Sequence, residues 1–151
     1  MKVLEESQNV KTMTLMMQLE VARRLTSKPN NKDYNALSVI IQHQTKSNYL
    51  FKVPKSVFKP KPNVDSAVIR LDRKEMDKDF DSKDFYDFVH KSFTQRRKTL
   101  VNNLSDNYQE YSKEFFKNLL ARNHIIDTIR GEALDLEEFK KIYLDFKKEI
   151  S

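Results

Sequence analysis

"NYLFKVPKSVFKPKPNVDSAVIRL", residues 48–71, sets two short apolar runs apart by a basic connection braced with prolines. Tyr49, Phe51 and Val53 alternate with Leu50 and Lys52, and residues 66–71 form a second β-rich run. That period of two predicts an antiparallel hairpin with a long loop. Within the loop, Pro60 and Pro62 fix their own φ and bias Lys59 and Lys61 toward extended conformations. The stiffened segment can hold out Phe58 at low entropic cost. A base stacked on such a ring gains about 1–3 kcal/mol, and Lys52, Lys55, Lys59 and Lys61 lie near enough in sequence to meet phosphates. The competing reading has Phe58 anchoring the loop into the core. Asp65 and Ser66 are expected to cap the turn into the second run.

Upstream, residues 10–19 offer Val10, Met13, Leu15, Met16 and Met17 to both sides, as a strand in a sheet covered on both faces would; a helix is the alternative. Residues 20–29 suit a helix with Val21, Ala22 and Leu25 on one side and Pro29 closing it. Asp33 or Asn35 can cap a further helix whose stripe runs through Leu37, Ile40, Ile41 and Gln44. A strand buried on two faces needs more neighbours than two other strands supply. "MKVLEES" also has the pattern of a helix tail without an N-cap, so the chain is expected to begin inside a domain.

Downstream, the mixed charges of residues 72–84 show no apolar periodicity and predict a linker. Phe85, Phe88, Val89, Phe93, Leu100 and Leu104 fit one helical face. Tyr111, Phe115, Leu119 and Leu120 fit a second, and Leu136, Phe139, Ile142, Tyr143 and Phe146 a third. Asp135 with Glu138 suits a capped start for the last helix. A small helical bundle is expected.

Lys+Arg 28 against Asp+Glu 22 gives a net charge of +6, which favours a polyanionic partner. Gln95, Arg96, Arg97 and Lys98 are read as one helix flank that could lie along a phosphate backbone; a solvated face completing the helix dipole is the alternative. Arg23 and Arg24 leave the same two possibilities. With no cysteine, disulfides, thiolate metal sites and cysteine nucleophiles are excluded, and a cytoplasmic setting is expected. One glycine in 151 residues cannot build a loop that wraps phosphates or a dinucleotide.

His43, His90 and His124 lack ligand spacing, so no metal is expected. The aspartates of residues 77–81 resemble a calcium-loop opening, but Phe88 falls where its closing glutamate belongs, which excludes calcium. Ser, His and Asp occur without a nucleophile elbow. Glu5 with Glu6 and Glu137 with Glu138 are adjacent, so neither forms a facing carboxylate pair.

"FKVPKSVFKPKPNVDSAVIRL" and "FTQRRKTLVNNL", with "QLEVARRLTSKPNNKDYNALSVIIQ" upstream, closely resemble the bacterial ribosomal RNA small subunit methyltransferase A family, the rRNA adenine dimethyltransferases. The resemblance runs from about residue 3 to the C-terminus. It implies an α/β then all-α chain: the C-terminal part of a Rossmann-like class I methyltransferase sheet (1–73), a linker (74–84) and a helical rRNA-binding domain (85–151). It implies N6,N6-dimethylation of two adjacent adenosines near the 3′ end of small-subunit rRNA, within the pre-30S particle, by an intact parent using S-adenosylmethionine. The glycine-rich cofactor loop and the Asn-Leu-Pro-Tyr catalytic motif would lie upstream of Met1, so no cofactor or catalytic residue is assigned in this chain. Phe58 would pack against the flipped adenine, and Lys59, Lys61, Arg96, Arg97 and Lys98 would meet rRNA backbone. Leu19 stands where the resemblance calls for a lysine, and Asn35 where it calls for a glycine. A non-catalytic nucleic-acid-binding module derived from the family is the alternative, a protein-interaction fragment a third. No membrane partner is expected, and self-association through surfaces exposed by truncation is.

Overall fold

A computed structural model describes residues 9–76 and 80–151. The helix-tail reading of residues 1–7 and the centre of the expected linker lie outside them. The chain divides into two compact units, Met1–Lys28 with Lys32–Lys78 and Pro29–Asn31 with Asp79–Ser151.

In the first unit, β1 (Thr12–Gln18) leads directly into α1 (Leu19–Thr26), which buries Ala22 and Leu25. The helix stops at Ser27, whose extended backbone prepares the approach to Pro29. Asn35 caps α2 (Ala36–Gln44): its side chain accepts from the Leu37 and Ser38 amides, and the Ser38 hydroxyl takes the Asn35 N–H in return. The stripe that α2 buries is Ser38, Val39 and Ile41, not the expected Leu37 and Ile40, which are only partly covered. With the cap at Asn35, Ala36, Val39 and His43 follow at helical spacing and turn that face inward.

β2 (Thr45–Val53) and β3 (Ser66–Arg73) pair antiparallel, as the hairpin reading predicted, and β1 pairs antiparallel with the other edge of β3. The sheet order is therefore β1-β3-β2. β1 and β2 run parallel, so α1 and α2 form the crossover that carries the chain from one to the other, and β3 fills the gap between them. Ala67, Ile69 and Leu71 of β3 form the core with Ala22, Leu25 and Ile41.

Two expectations fail on this sheet. β1 is covered on one face only; Met16 on its other face is 56% exposed. The strict alternation in β2 breaks at Leu50, where the register slips between Tyr49, opposite Ile69, and Phe51, opposite Val68. One inserted residue turns the strand over, so Tyr49 and Phe51 lie on opposite faces. Phe51 joins Met16 and Val68 on the open face and is 55% exposed.

The second unit holds α3 (Ser82–Ser92), α4 (Leu100–Asn107), α5 (Lys113–Arg122) and α6 (Leu136–Ile150), capped by Asp81, Thr99, Ser112 and Asp135. Asp135 and Glu138 make the reciprocal box anticipated for α6. Phe85, Phe88 and Val89 on α3 and Leu100 and Leu104 on α4 are buried from two helices, not from one continuous face. On α5 the inward ring is Phe116 rather than Phe115, because a start at Lys113 sets Phe116, Leu119 and Leu120 on one side. Phe88, Phe116 and Phe146 pack as an aromatic centre, with Phe88 to Phe146 at 5.5 Å between centroids. Gly131 lets its backbone approach α3: a Cβ there would lie 3.2 Å from the Ser92 carbonyl oxygen.

Candidate nucleic-acid interface

The connection from β2 to β3 begins with Pro54 and a single 3₁₀ turn, Lys55–Val57, after which the backbone extends at Phe58. Asp65 closes it. Its carboxylate accepts the Lys55 N–H at 2.8 Å and the Lys52 ammonium at 2.8 Å, and its carbonyl accepts the Leu19 N–H at the head of α1 at 3.0 Å. These bonds replace the turn cap expected of Asp65 with a clasp spanning the foot of the loop. The Lys52 hydrogen bond and then the Lys55 N–H hold the Asp65 carboxyl below the ordinary carboxylate range.

Phe58 sits at the tip side of the clasp, half-buried and outside the hydrophobic core. Lys59 and Lys61 are exposed, with no partner among the described residues, and the Lys59–Pro60 peptide bond is cis. The four lysines thus separate into two kinds. Lys52 is committed to Asp65, and Lys55 donates to the Asn63 carbonyl at 3.3 Å. Of the four, Lys59 and Lys61 are the two without any partner among the described residues. Beside the foot of the loop lies a cleft of about 310 Å³, lined in part by Arg23, Lys32 and Lys55.

The second basic segment does not lie on a helix. Gln95 to Lys98 form the turn between α3 and α4, which corrects the expected helix flank. The cause is Asn103, 2% exposed on α4: its side chain accepts from the Gln95 N–H at 3.0 Å and donates to the carbonyls of Ser92 at 2.9 Å and Gln95 at 3.1 Å. An amide side chain making three backbone bonds competes with helix continuation and fixes the turn. Arg96 pairs with Glu132 at 2.9 Å and Lys98 with Asp106 at 2.7 Å, while Arg97 is exposed without an ion pair among the described residues. Both pairs are surface contacts, whose net worth is about 0–1 kcal/mol, so an incoming phosphate can replace the carboxylate in either. The Lys98 hydrogen bond lowers the Asp106 carboxyl's pKa.

His43 is buried on α2, while His90 and His124 lie in the helical unit, and no group of three or more metal-ligating side chains occurs among the described residues. Asp65 and Asn103 as organisers of the two basic segments escaped the sequence reading. The signal available for Asp65 was its place directly before β3; for Asn103 there was none, since its partners are backbone groups.

Residues 1–142 match the sequence model of the family described as ribosomal RNA adenine dimethylase. The chain belongs to this family. Ribosomal RNA small subunit methyltransferase A of Bacillus cytotoxicus is 46% identical over 142 residues, 91% of this chain and 49% of that protein. The protein of the same name from Lactococcus lactis is 44% identical over 130 residues, 85% of this chain and 44% of that one. The chain therefore spans about half the length of these curated relatives. Among solved structures, a dimethyladenosine transferase from Plasmodium falciparum superposes with a TM-score of 0.80 at 24% identity, over 98% of this chain and 61% of that one. The 23S rRNA methyltransferase ErmE gives 0.64 at 22% identity, over 94% and 57%. The fold is thus that of rRNA dimethyltransferases, and no described helix is long and apolar enough to cross a membrane.

Proposed function

We propose that this chain is the RNA-gripping portion of an rRNA adenine dimethyltransferase. The intact parent transfers methyl groups from S-adenosylmethionine to N6 of two adjacent adenosines near the 3′ end of small-subunit rRNA, in the pre-30S particle. Within the chain, residues 1–73 belong to the methyltransferase domain and residues 85–151 to a helical rRNA-binding domain. The observation that carries this reading is the placement of Phe58: a half-buried ring on a proline-stiffened loop, clasped at its foot and flanked by the uncommitted Lys59 and Lys61. A flipped adenine stacks on such a ring while the ammonium groups meet the adjoining phosphates. Arg96, Arg97 and Lys98 hold RNA backbone at a second place.

The residues present do not fit the cofactor. The one glycine, Gly131, is committed to a close approach against α3, so a glycine-rich loop for S-adenosylmethionine has no material in this chain. The chain alone is expected neither to bind the cofactor nor to methylate RNA, and isothermal titration finding micromolar cofactor affinity would contradict this. A non-catalytic RNA-binding module is the second reading, favoured by the same lack of a glycine loop.

The test is fluorescence anisotropy with a single-stranded RNA carrying two adjacent adenosines. Phe58→Ala should weaken binding by about 1–3 kcal/mol, roughly five- to 150-fold, with the thermal midpoint unchanged and Phe58→Tyr near wild type. A lowered midpoint with RNA affinity intact would instead make Phe58 a loop anchor.

A further inference from the structure

We propose that the cleft between the first turns of α1 and the foot of the proline loop is a seat for a phosphodiester of the RNA strand, separate from the surface offered by Phe58, Lys59 and Lys61. Arg23 reaches the cleft from α1, Lys32 from the connection to α2 and Lys55 from the 3₁₀ turn, so three segments distant in sequence bring cations to one concavity of about 310 Å³.

Three carboxylates also line this space, and the balance between the two sets decides its sign. Glu20 is paired with Arg24, and Asp65 with Lys52; neither Arg24 nor Lys52 lines the cleft. Both carboxylates are thus neutralised from outside it. Asp33 is itself engaged. Arg23 and Lys32 are exposed and have no ion-pair partner among the described residues. Lys55 donates to the Asn63 carbonyl, and an ammonium has three N–H groups, so donors remain for a ligand. The cleft is left with surplus positive charge and several unspent donors, which is the chemistry of a phosphate oxygen cluster.

Its position gives the site a purpose. The Asp65 carbonyl ties the loop to the Leu19 N–H, and the Asp65 carboxylate ties it to Lys55, so the cleft and the loop bearing Phe58 share one foot. Lys55, which lines the cleft, and Phe58 belong to one short turn, so a strand whose base stacks on Phe58 follows the same loop toward the cleft. The identity of the ligand as RNA rests on the function proposed above; the anion seat itself rests on the cleft.

The experiment is salt titration of the 151-residue chain with the same adenosine-containing RNA oligonucleotide, followed by anisotropy. Each phosphate contact on a single strand contributes about 0.7 to the slope of log K against log salt. Arg23→Ala with Lys32→Ala should therefore flatten the slope by about 1.4, and each single variant by about half as much. Lys46→Ala, exposed on β2 outside the cleft, should leave it unchanged, as should Phe58→Ala, which lowers affinity without altering the slope. Circular dichroism of each variant checks the fold. An unaltered slope in the folded double variant, or no salt-dependent binding by the parent chain, overturns the assignment. Inorganic phosphate is the second probe: should it bind as tightly as the oligonucleotide and with the same dependence on Arg23, the cleft is a small-anion site and the RNA assignment falls. Should Phe58→Ala leave affinity untouched while the double variant flattens the slope, the stacking role of Phe58 fails and the phosphate seat stands.

Discussion

The two units bury their apolar residues by different means. The helical unit encloses its own: Phe85, Phe88, Phe116 and Phe139 are fully buried, and four helices each bring a capped start and one apolar face. The α/β unit covers one face of a three-stranded sheet with α1 and α2 and leaves Met16, Val68 and Phe51 on the other, with Met16 and Phe51 more than half exposed. Sheets reached by a parallel crossover are ordinarily covered on both faces. The difference shows that matching residue types carry unequal energetic weight, because the weight comes from the neighbours.

The two basic segments repeat the contrast. The proline loop is held by an ionised group, Asp65, and keeps Lys59 and Lys61 uncommitted. The turn at residues 95–98 is held by a neutral amide, Asn103, and spends two of its three cations on Glu132 and Asp106. One anchor titrates and the other does not.

The largest test sets one ring against another. Phe116→Ala should cost about 3–5 kcal/mol in chemical denaturation, whereas Phe51→Ala should change stability by no more than about 0.5 kcal/mol. Equal losses would mean that the open sheet face is packed in solution, and gel filtration would then show whether a second copy packs it.

A middle-sized effect falls on the amide anchor. Asn103→Ala strands the Gln95 N–H and the Ser92 carbonyl and should cost about 1–3 kcal/mol. Amide exchange should quicken at residues 95–98 while the clasped loop stays as protected as before. Unchanged protection at the turn would remove Asn103 as its organiser.

The smallest effect is confined to the ionised clasp. Lys52 first, and the Lys55 N–H second, hold the Asp65 carboxyl below its ordinary range. A depressed carboxyl contributes fully above the unfolded value of about 3.9 and loses that contribution as pH falls through the folded value. The Lys55 amide resonance should therefore stay fixed down to about pH 4 and shift only in stronger acid. A transition nearer neutrality would assign the clasp to another group.

Residues 48–71 fixed the hairpin and its stiff basic loop on their own, because proline restriction and period-two apolarity act within a few residues. Capping was equally local: Asn35 as one of two candidates, and the Asp135–Glu138 box, were readable from spacing. Chain-local rules reach no further. The slip at Leu50, the turn at residues 95–98 and the inward choice of Phe116 over Phe115 each depend on where a partner element places its groups. Which cations stay available was likewise settled by folding, since Asp65 takes up Lys52 from the far side of the loop, and Glu132 stands thirty-six from Arg96. Sequence supplies the charges, and the carboxylates that the fold sets beside them decide which remain for a ligand.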